Sequence, residues 1–193
     1  FALLLNQGLQ GTSLYRTLFF LPSLTPAVAS ALLWTWFFQP QFGPLNYLLR
    51  LVGMQGPSWL GDTRWAMVAL IIMALWGGAG GGTMVIFLAG LQGIPKELYD
   101  AAVVDGAGRW RKLLHITLPI LSPTVFFNMG LGIIGALKVF TPAFIATNGG
   151  PAYATWFYLL HLYFNAFRYF EMGYASALAW IFFLIVIVFT YLQ

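Results

Sequence analysis

Four long stretches without a charged residue constrain the fold of this 193-residue sequence more than any other feature. They cover residues 18–38, 66–91, 117–137 and 172–193. Each is long enough to cross a bilayer, because a transmembrane helix needs about 20 mostly apolar residues. The third stretch is expected to continue as helix to about residue 144. The sequence therefore predicts an all-α membrane protein in which several spans form a polytopic helix bundle.

The composition excludes an ordinary water-soluble domain. Charged residues make up 7% of the chain and hydrophobic residues 60%, whereas soluble domains carry about 25% charged residues. The sequence contains no cysteine, which removes disulfides, thiolate chemistry and cysteine metal sites. A net charge of +4 is too scattered to indicate nucleic-acid binding. The first residues, FALLLN, are interpreted as the end of an apolar helix that begins upstream, so the chain is expected to be truncated at its N-terminal side.

No combination of residues typical of an enzyme lies in the predicted spans. His115 and His161 are isolated in sequence, and all five acids lie outside the spans. We therefore expect no catalytic residue, no metal site and no enzymatic activity in this chain. Ion-driven carriers usually hold a buried acid, so the pattern also argues against one. An ATP-independent secondary carrier or a structural membrane subunit stays as the alternative function.

Two glycine-rich segments resemble nucleotide motifs without their context. GLGIIG, residues 130–135, has dinucleotide spacing but lies inside an apolar span, and GGAGGG, residues 77–82, is not followed by Lys-Ser or Lys-Thr. Both are interpreted as places of close helix packing by small residues. A flexible break in the helix is the alternative for GGAGGG.

Two polar residues of the third span attract a functional interpretation. Lys138 is expected in the outer half of the membrane, where a charge costs a few kcal/mol unless it reaches headgroups or water. It is either a snorkelling side chain or a residue that lines a pathway. Asn128 is either a pathway-lining residue or a helix–helix hydrogen-bonding group.

Aromatic residues mark the expected outer ends of the spans. Residues 155–170 are predicted to be helical and, because they contain Asn165 and Arg168, to lie at the interface or partly inserted rather than to form a fifth span. The tryptophan and tyrosine side chains expected in the interfacial belt are Trp34, Trp36, Trp59, Trp65, Trp156 and Tyr158.

Half of the charge is concentrated in one short stretch, residues 96–112, which holds seven of the fourteen charged side chains. Pro95 is expected at the first helical position and Gly106 just beyond the helix end. One narrow face should then carry four residues: Leu98, Ala101, Ala102 and Asp105. Such a face can seat in a groove on another protein, and a solvated loop is the alternative. A basic turn and a second short helix are expected to follow.

The distribution of basic residues predicts the orientation. Four spans place both chain ends and the charged stretch on one side, together with Arg16, which gives five Lys/Arg there. The other side has Arg50, Arg64 and Arg168. The positive-inside rule then places the charged stretch in the cytoplasm and the protein in the cytoplasmic membrane, as a multi-pass component.

The charged stretch resembles the loop motif E-A-A-x3-G-x9-I-x-L-P of the permease subunits of binding-protein-dependent ABC importers. The sequence reads Asp100-Ala101-Ala102, three residues, Gly106, nine residues, then Ile116-Thr117-Leu118-Pro119. Asp100 stands where the family usually has Glu, so the charge is kept and the reach is one methylene shorter. RTLFFLPSLTP, FLAGLQGIPKEL, TNGGP and AFRYFEMGYASALA extend the resemblance over residues 1–193. They are similar to the sugar and glycerol-phosphate branch, and most of all to the first permease of maltose-, lactose- or glycerol-phosphate-type systems.

The resemblance implies a single type I ABC importer transmembrane domain over residues 1–193, with a cytoplasmic coupling loop over residues 92–123. In the family this loop carries a coupling helix that sits in a cleft of an ATPase subunit. It implies contacts with the ATPase for Glu97, Asp100, Ala101, Ala102, Asp105, Gly106 and Ala107, with Ile116, Leu118 and Pro119 closing the motif. It also implies a sugar or sugar-like solute, a second permease, two ATPase subunits and an external solute-binding protein. The chain itself would bind no cofactor, with ATP and magnesium on the ATPase subunits.

Overall fold

The computed structural model of the protein describes residues 2–5, 11–78 and 81–193. Every regular element in these ranges is helical, which confirms the predicted all-α fold. The α-helices are α1 (Ala2–Leu5), α2 (Thr12–Leu24), α3 (Ala27–Phe37), α4 (Pro44–Leu51), α5 (Thr63–Gly78), α6 (Gly81–Gln92), α7 (Lys96–Val104), α8 (Arg109–Lys112), α9 (Leu118–Leu137), α10 (Tyr158–Tyr163) and α11 (Met172–Leu192). Three π-helical segments adjoin them: Leu113–Thr117, Ala143–Thr147 and Phe164–Arg168.

The predicted spans correspond to long helices and to interrupted helix pairs. Two helices of the described residues, Arg109–Leu137 and α11, are long and apolar enough to cross a membrane by themselves. The pairs α2 with α3 and α5 with α6 would add two more spans if each pair is counted as one. The first pair is interrupted next to Pro26, because proline disfavours helical backbone at the residue before it. Residues 79 and 80 of GGAGGG, where a flexible break was the alternative, lie outside the described residues.

The expected end of the third span was wrong. Its helix ends at Leu137 rather than near residue 144, and a separate π-helical segment begins after Pro142. Proline lacks the N–H that a helix interior needs, so it starts the next segment instead of continuing the previous one. The expected second short helix after the basic turn is the first part of the continuous helix Arg109–Leu137.

Close helix packing by small residues, predicted for both glycine segments, is seen at Gly81 of GGAGGG. A Cβ added at Gly81 would lie 3.0 Å from the Ser23 Cβ, so the two helices approach closely there. A Cβ at Gly132 or Gly135 would meet no atom within 4 Å among the described residues. The structure therefore shows no packing partner for these two glycines of GLGIIG.

The chain divides into two compact units. The first unit comprises residues 1–24 and 76–131, and it holds two small apolar clusters. Their buried members are Leu5, Met84 and Leu88 in one cluster and Leu91, Ile94 and Leu121 in the other. Tyr99 and Ile116 pack against the second cluster, so the core of this unit extends to α7.

The second unit comprises residues 25–75 and 132–193 and has a larger, aromatic core. Trp59 was expected in an interfacial belt, but it is only 8% exposed. Its ring lies 5.6 Å from that of Phe38, and its Nε1 donates a hydrogen bond of 2.7 Å to Asn46 Oδ1. An indole buries well when its N–H finds an acceptor, and the loop before it supplies one.

Asn46 organises the connection between α3 and α5. It is 2% exposed, and its Nδ2 donates to the carbonyl oxygens of Pro40 and Pro57, each at 3.1 Å. Arg50 extends the network, because its Nη2 donates to the Gln41 carbonyl oxygen at 2.6 Å. The polar side chains of this loop thus satisfy each other and the backbone, which fixes a loop that carries two prolines at its bends.

Residues 155–170 contain a helix half as long as a span needs. α10 has six residues and the π-helical segment after it has five, which is about 16 Å of rise. A span requires about 30 Å. The structure therefore favours the interpretation that this segment does not cross the membrane.

Candidate functional site

The charged stretch folds into a short helix whose ends are defined by the backbone. α7 runs from Lys96 to Val104. Pro95 was predicted to be its first residue but is its N-cap, so the helix begins one residue later than predicted. Gly106 has φ +70° and lies just beyond the helix end, as predicted. Its N–H donates to Val103 O at 3.0 Å, and the N–H of Ala107 donates to Ala102 O at 2.8 Å. This pair of bonds is a Schellman motif, which needs a left-handed residue and thus favours glycine.

The predicted partner-facing residues differ in what they expose. Glu97, Asp100, Ala101, Asp105 and Gly106 are exposed, Ala107 is half-buried and Ala102 is 9% exposed. Ala102 is therefore mostly covered by its own unit, and the surface that it offers to a partner is small. The contact role of these residues stays a prediction.

The charges of this stretch have no partner in the part of the chain that the structure describes. Among the described residues, its seven charged side chains form no hydrogen bond or ion pair: Lys96, Glu97, Asp100, Asp105, Arg109, Arg111 and Lys112. Exposed charges hydrate readily, so this arrangement is stable in water. It also leaves every one of these groups free to bind a partner.

The four residues expected on one narrow face do share a surface. Leu98, Ala101, Ala102 and Asp105 line a cleft of about 690 Å³. The opposite wall belongs to the same chain and includes Arg111, His115 and Ile116. The face prediction is thus confirmed, with the addition that α7 and the start of the long helix enclose the cleft between them.

The motif end anchors α7 through a residue that the sequence reasoning missed. Tyr99 Oη lies 2.8 Å from Thr117 Oγ1, and Thr117 Oγ1 donates to the Lys112 carbonyl oxygen at 3.3 Å. Thr117 is buried, whereas Leu118 and Pro119 are exposed and Ile116 is half-buried. The signal available in the sequence was spacing, because Tyr99 and Ala102 are three residues apart and therefore lie on the same, inward side of α7.

The two polar residues of the third span have ordinary local surroundings. Asn128 is half-buried and its Nδ2 donates to the Thr124 carbonyl oxygen at 2.8 Å, within its own helix. Lys138 is exposed and lies one residue after the helix end at Leu137. The pathway role of both residues stays a prediction.

No metal centre is visible in the part of the chain that the structure describes, since no group of three or more His, Asp or Glu side chains could hold an ion there. His161 is less isolated than its sequence suggests. Trp156 Nε1 donates to His161 Nδ1 at 3.2 Å, and Asn165 Nδ2 donates to the carbonyl oxygen of His161 at 2.7 Å. These contacts belong to the aromatic packing around α10 and form no catalytic arrangement with an acid.

Sequence comparisons agree with this organisation. The profile of the family described as "Binding-protein-dependent transport system inner membrane component" matches residues 2–193. The probable ABC transporter permease protein YesP of Bacillus subtilis is 45% identical over 189 residues, which cover 96% of this chain and 60% of that protein. The trehalose/maltose transport system permease protein MalF of Thermococcus litoralis is 36% identical over 190 residues, or 98% of this chain and 64% of that protein.

A structure comparison gives the same result. A chain of the bacterial alginate ABC transporter, crystallised with a periplasmic protein bound to an alginate pentasaccharide, matches with a TM-score of 0.88 and 25% identity. The match covers 97% of this chain and 66% of the other. In the sequence comparisons, this chain spans less than two thirds of the length of each of the two curated relatives, YesP and MalF.

Proposed function

The chain belongs to the family of binding-protein-dependent transport system inner membrane components, and on this premise we propose that it is the permease part of an ATP-driven importer for a sugar or sugar-like solute. The observation that carries the proposal is α7, a capped helix with exposed, unpaired acids. Its exposed acids have no partner among the described residues of their own unit. It has the form expected of an element that docks on a separate protein.

The sugar class rests on the relatives. The names of similar proteins include permeases for trehalose/maltose and for lactose, the latter 34% identical over 197 residues in Rhizobium radiobacter. The aromatic surroundings of α10 are compatible with stacking on sugar rings but also with packing. The choice among sugars is therefore a matter for transport assays.

The proposed partners follow from the same reasoning. A second permease, two cytoplasmic ATPase subunits and an external solute-binding protein would complete the importer, and the lipid bilayer surrounds the spans. ATP and magnesium would bind on the ATPase subunits, and this chain would be a transport subunit without an enzymatic site. Asn128 and Lys138 are proposed to line the pathway.

The contacts of α7 suggest how motion would pass to the membrane. α7 is linked to the long helix Arg109–Leu137 by the Tyr99–Thr117 contact and by the apolar cluster of Leu91, Ile94 and Leu121. Packed side chains resist deformation. A partner that moves the exposed side of α7 would therefore move the start of this span with it.

Two neighbouring alanines provide a sharp test of the docking surface. Ala101 is exposed and Ala102 is 9% exposed, so Ala101→Cys and Ala102→Cys differ in position but not in chemistry. In the assembled full-length transporter, we expect a short thiol-reactive cross-linker to join Ala101→Cys, but not Ala102→Cys, to the ATPase subunit. Cross-linking of neither contradicts the docking surface, and equal cross-linking of both contradicts only the distinction drawn between the two alanines.

Transport itself tests the ATP-driven function. Vesicles that contain the full-length protein and its partners should accumulate at least one of radiolabelled maltose, trehalose or lactose, and accumulation should stop when the ATPase subunit is omitted. Uptake that persists without the ATPase subunit supports the alternative, an ATP-independent carrier. Absence of uptake for every sugar, together with ATP-dependent uptake of another solute class, would refute only the sugar assignment.

A further inference from the structure

A second cavity lies beside α7, within the first unit, and it shares Lys112 with the cleft of about 690 Å³. Its volume is about 790 Å³, which is in the range of about 300–1,000 Å³ typical of small-molecule sites. Arg109, Lys112 and Tyr99 contribute polar atoms to it, and Leu3 and Leu113 contribute apolar surface. The cavity is thus amphiphilic, with cations and aliphatic side chains around one space.

The cations of this cavity are not neutralised by the protein. Among the described residues, the side chains of Arg109 and Lys112 form no ion pair or hydrogen bond, and none of the eight lining residues is an acid. Unpaired cations beside apolar surface attract an anion that also brings apolar groups. A soluble inorganic anion would satisfy only half of this lining.

The cavity lies where a membrane surface is expected. Arg109 and Lys112 precede Leu118 by nine and six residues in the same continuous helix of 29 residues, and about 20 residues suffice to cross the hydrocarbon core. Trp110 lies between them and is 76% exposed. Tryptophan next to arginine and lysine at the end of a span is typical of the headgroup layer.

We propose that this cavity binds an anionic phospholipid. The Arg109 guanidinium and the Lys112 ammonium would hold the phosphate, with the guanidinium donating two parallel hydrogen bonds. Leu3 and Leu113 would contact the glycerol and the upper part of the acyl chains. The proposal depends on the membrane location of the chain and not on the identity of the transported solute.

The structure offers a matched control for this site. Arg111 carries the same charge as Arg109 and is only two residues away, but it lines the cleft of about 690 Å³ with Asp105 and His115, not the cavity of Arg109. General attraction of a basic stretch to an anionic membrane would weaken equally when either arginine is neutralised. A built site would respond to Arg109 alone.

The test uses the assembled full-length transporter, with retained lipid counted by native mass spectrometry after incubation with phosphatidylglycerol or phosphatidylcholine. We expect Arg109→Gln to bind phosphatidylglycerol about fivefold more weakly, since one basic residue near an anionic surface contributes about 1 kcal/mol. Arg111→Gln should change binding by less than about twofold, and Arg109→Lys, which keeps the charge but loses the two parallel hydrogen bonds, should bind with an affinity between those of the wild type and Arg109→Gln. Phosphatidylcholine should bind poorly to all variants.

Three outcomes would overturn the proposal. Equal losses in Arg109→Gln and Arg111→Gln show attraction to the basic stretch as a whole. Displacement of phosphatidylglycerol by excess inorganic phosphate shows a site for the free anion. Unchanged lipid binding in Arg109→Gln, with loss of the ATPase subunit from the purified complex, shows that the cavity is a protein interface.

Discussion

Two short helices in different connections, α4 and α7, are built alike and used differently. α4 has Pro44 at its first turn, and α7 follows Pro95. Each ends in a Schellman motif with a left-handed glycine, Gly53 at φ +81° and Gly106 at φ +70°. The backbone therefore defines both helices in the same way, and the difference between them lies in their side chains.

The polar side chains of the two loops differ in burial and in hydrogen bonding. In the loop of α4, Asn46 is buried and bonded to two carbonyl oxygens and to Trp59. In α7, Glu97 and Asp100 are exposed and form no bond within the described residues. The polar groups of the first loop thus stabilise the conformation of that loop, whereas those of the second loop are available to bind another molecule.

The largest expected effect comes from removing the centre of the first loop. Asn46→Leu keeps the branched shape and the number of heavy atoms but leaves the Pro40 and Pro57 carbonyls and the Trp59 indole N–H without their partner. We expect a loss of roughly 3 kcal/mol or more in the free energy of unfolding, because each unpaired buried group costs about 1–3 kcal/mol. Denaturation of the purified full-length protein by a detergent titration measures it.

A milder variant at the same position keeps the prediction testable if Asn46→Leu fails to fold. Asn46→Asp in its protonated form, which burial favours, keeps an acceptor for Trp59 Nε1 and one of the two donors, so its stability at low pH should lie between those of the wild type and Asn46→Leu. A loss below about 1 kcal/mol for Asn46→Leu would show that the network does not hold this loop.

The second prediction uses the two matched glycines. Gly53→Ala and Gly106→Ala each place a Cβ in open space, with no atom within 4 Å, so each should cost only the left-handed backbone strain, about 1–2 kcal/mol. Only Gly106→Ala should also lower the amount of sugar taken up per ATP hydrolysed, by an expected tenfold, because only its helix is proposed to dock on the ATPase. Gly106→Val should act in the same direction and more strongly, with normal membrane insertion.

The readouts for this pair are protein yield in the membrane, ATP hydrolysis and uptake in vesicles. If Gly53→Ala uncouples transport as much as Gly106→Ala does, the effect comes from general strain and the distinction between the two loops is lost. If Gly106→Val transports normally, α7 is not the coupling element.

The smallest effect is expected at Asn128, whose amide is already bonded to the Thr124 carbonyl oxygen one turn before it. Asn128→Ala removes one hydrogen bond of a half-buried group, so we expect a stability change below about 1 kcal/mol. As a proposed pathway residue it should instead raise the KM of sugar uptake a few-fold with little change in kcat. An unchanged KM assigns Asn128 to the helix itself.

The sequence predicted the elements that depend on local patterns. The charge-free stretches identified the long helices, and the order of Pro95, good helix formers and Gly106 identified α7 with an error of one residue at its start. These features are encoded by neighbouring residues, so hydropathy and capping rules suffice to find them.

Features that depend on distant residues were not predicted. Asn46 reaches Pro40, Pro57 and Trp59 across up to 13 positions, and Trp59 was therefore placed in an interfacial belt instead of a core. The Tyr99–Thr117 contact joins residues 18 positions apart. The low exposure of Ala102, 9%, was not predicted either, because capping rules do not describe what packs beside it, and its partner contact, implied by the family resemblance, stays a prediction.

The Tyr99–Thr117 contact determines what happens when a partner pulls α7 strongly away from the long helix. Thr117 Oγ1 keeps its own bond to the Lys112 carbonyl oxygen when the tyrosine leaves, and the phenol can then be hydrated. Separation therefore leaves no buried polar group without a partner. The Tyr99–Thr117 hydrogen bond can break when α7 is pulled strongly and can form again when the two hydroxyls return to contact.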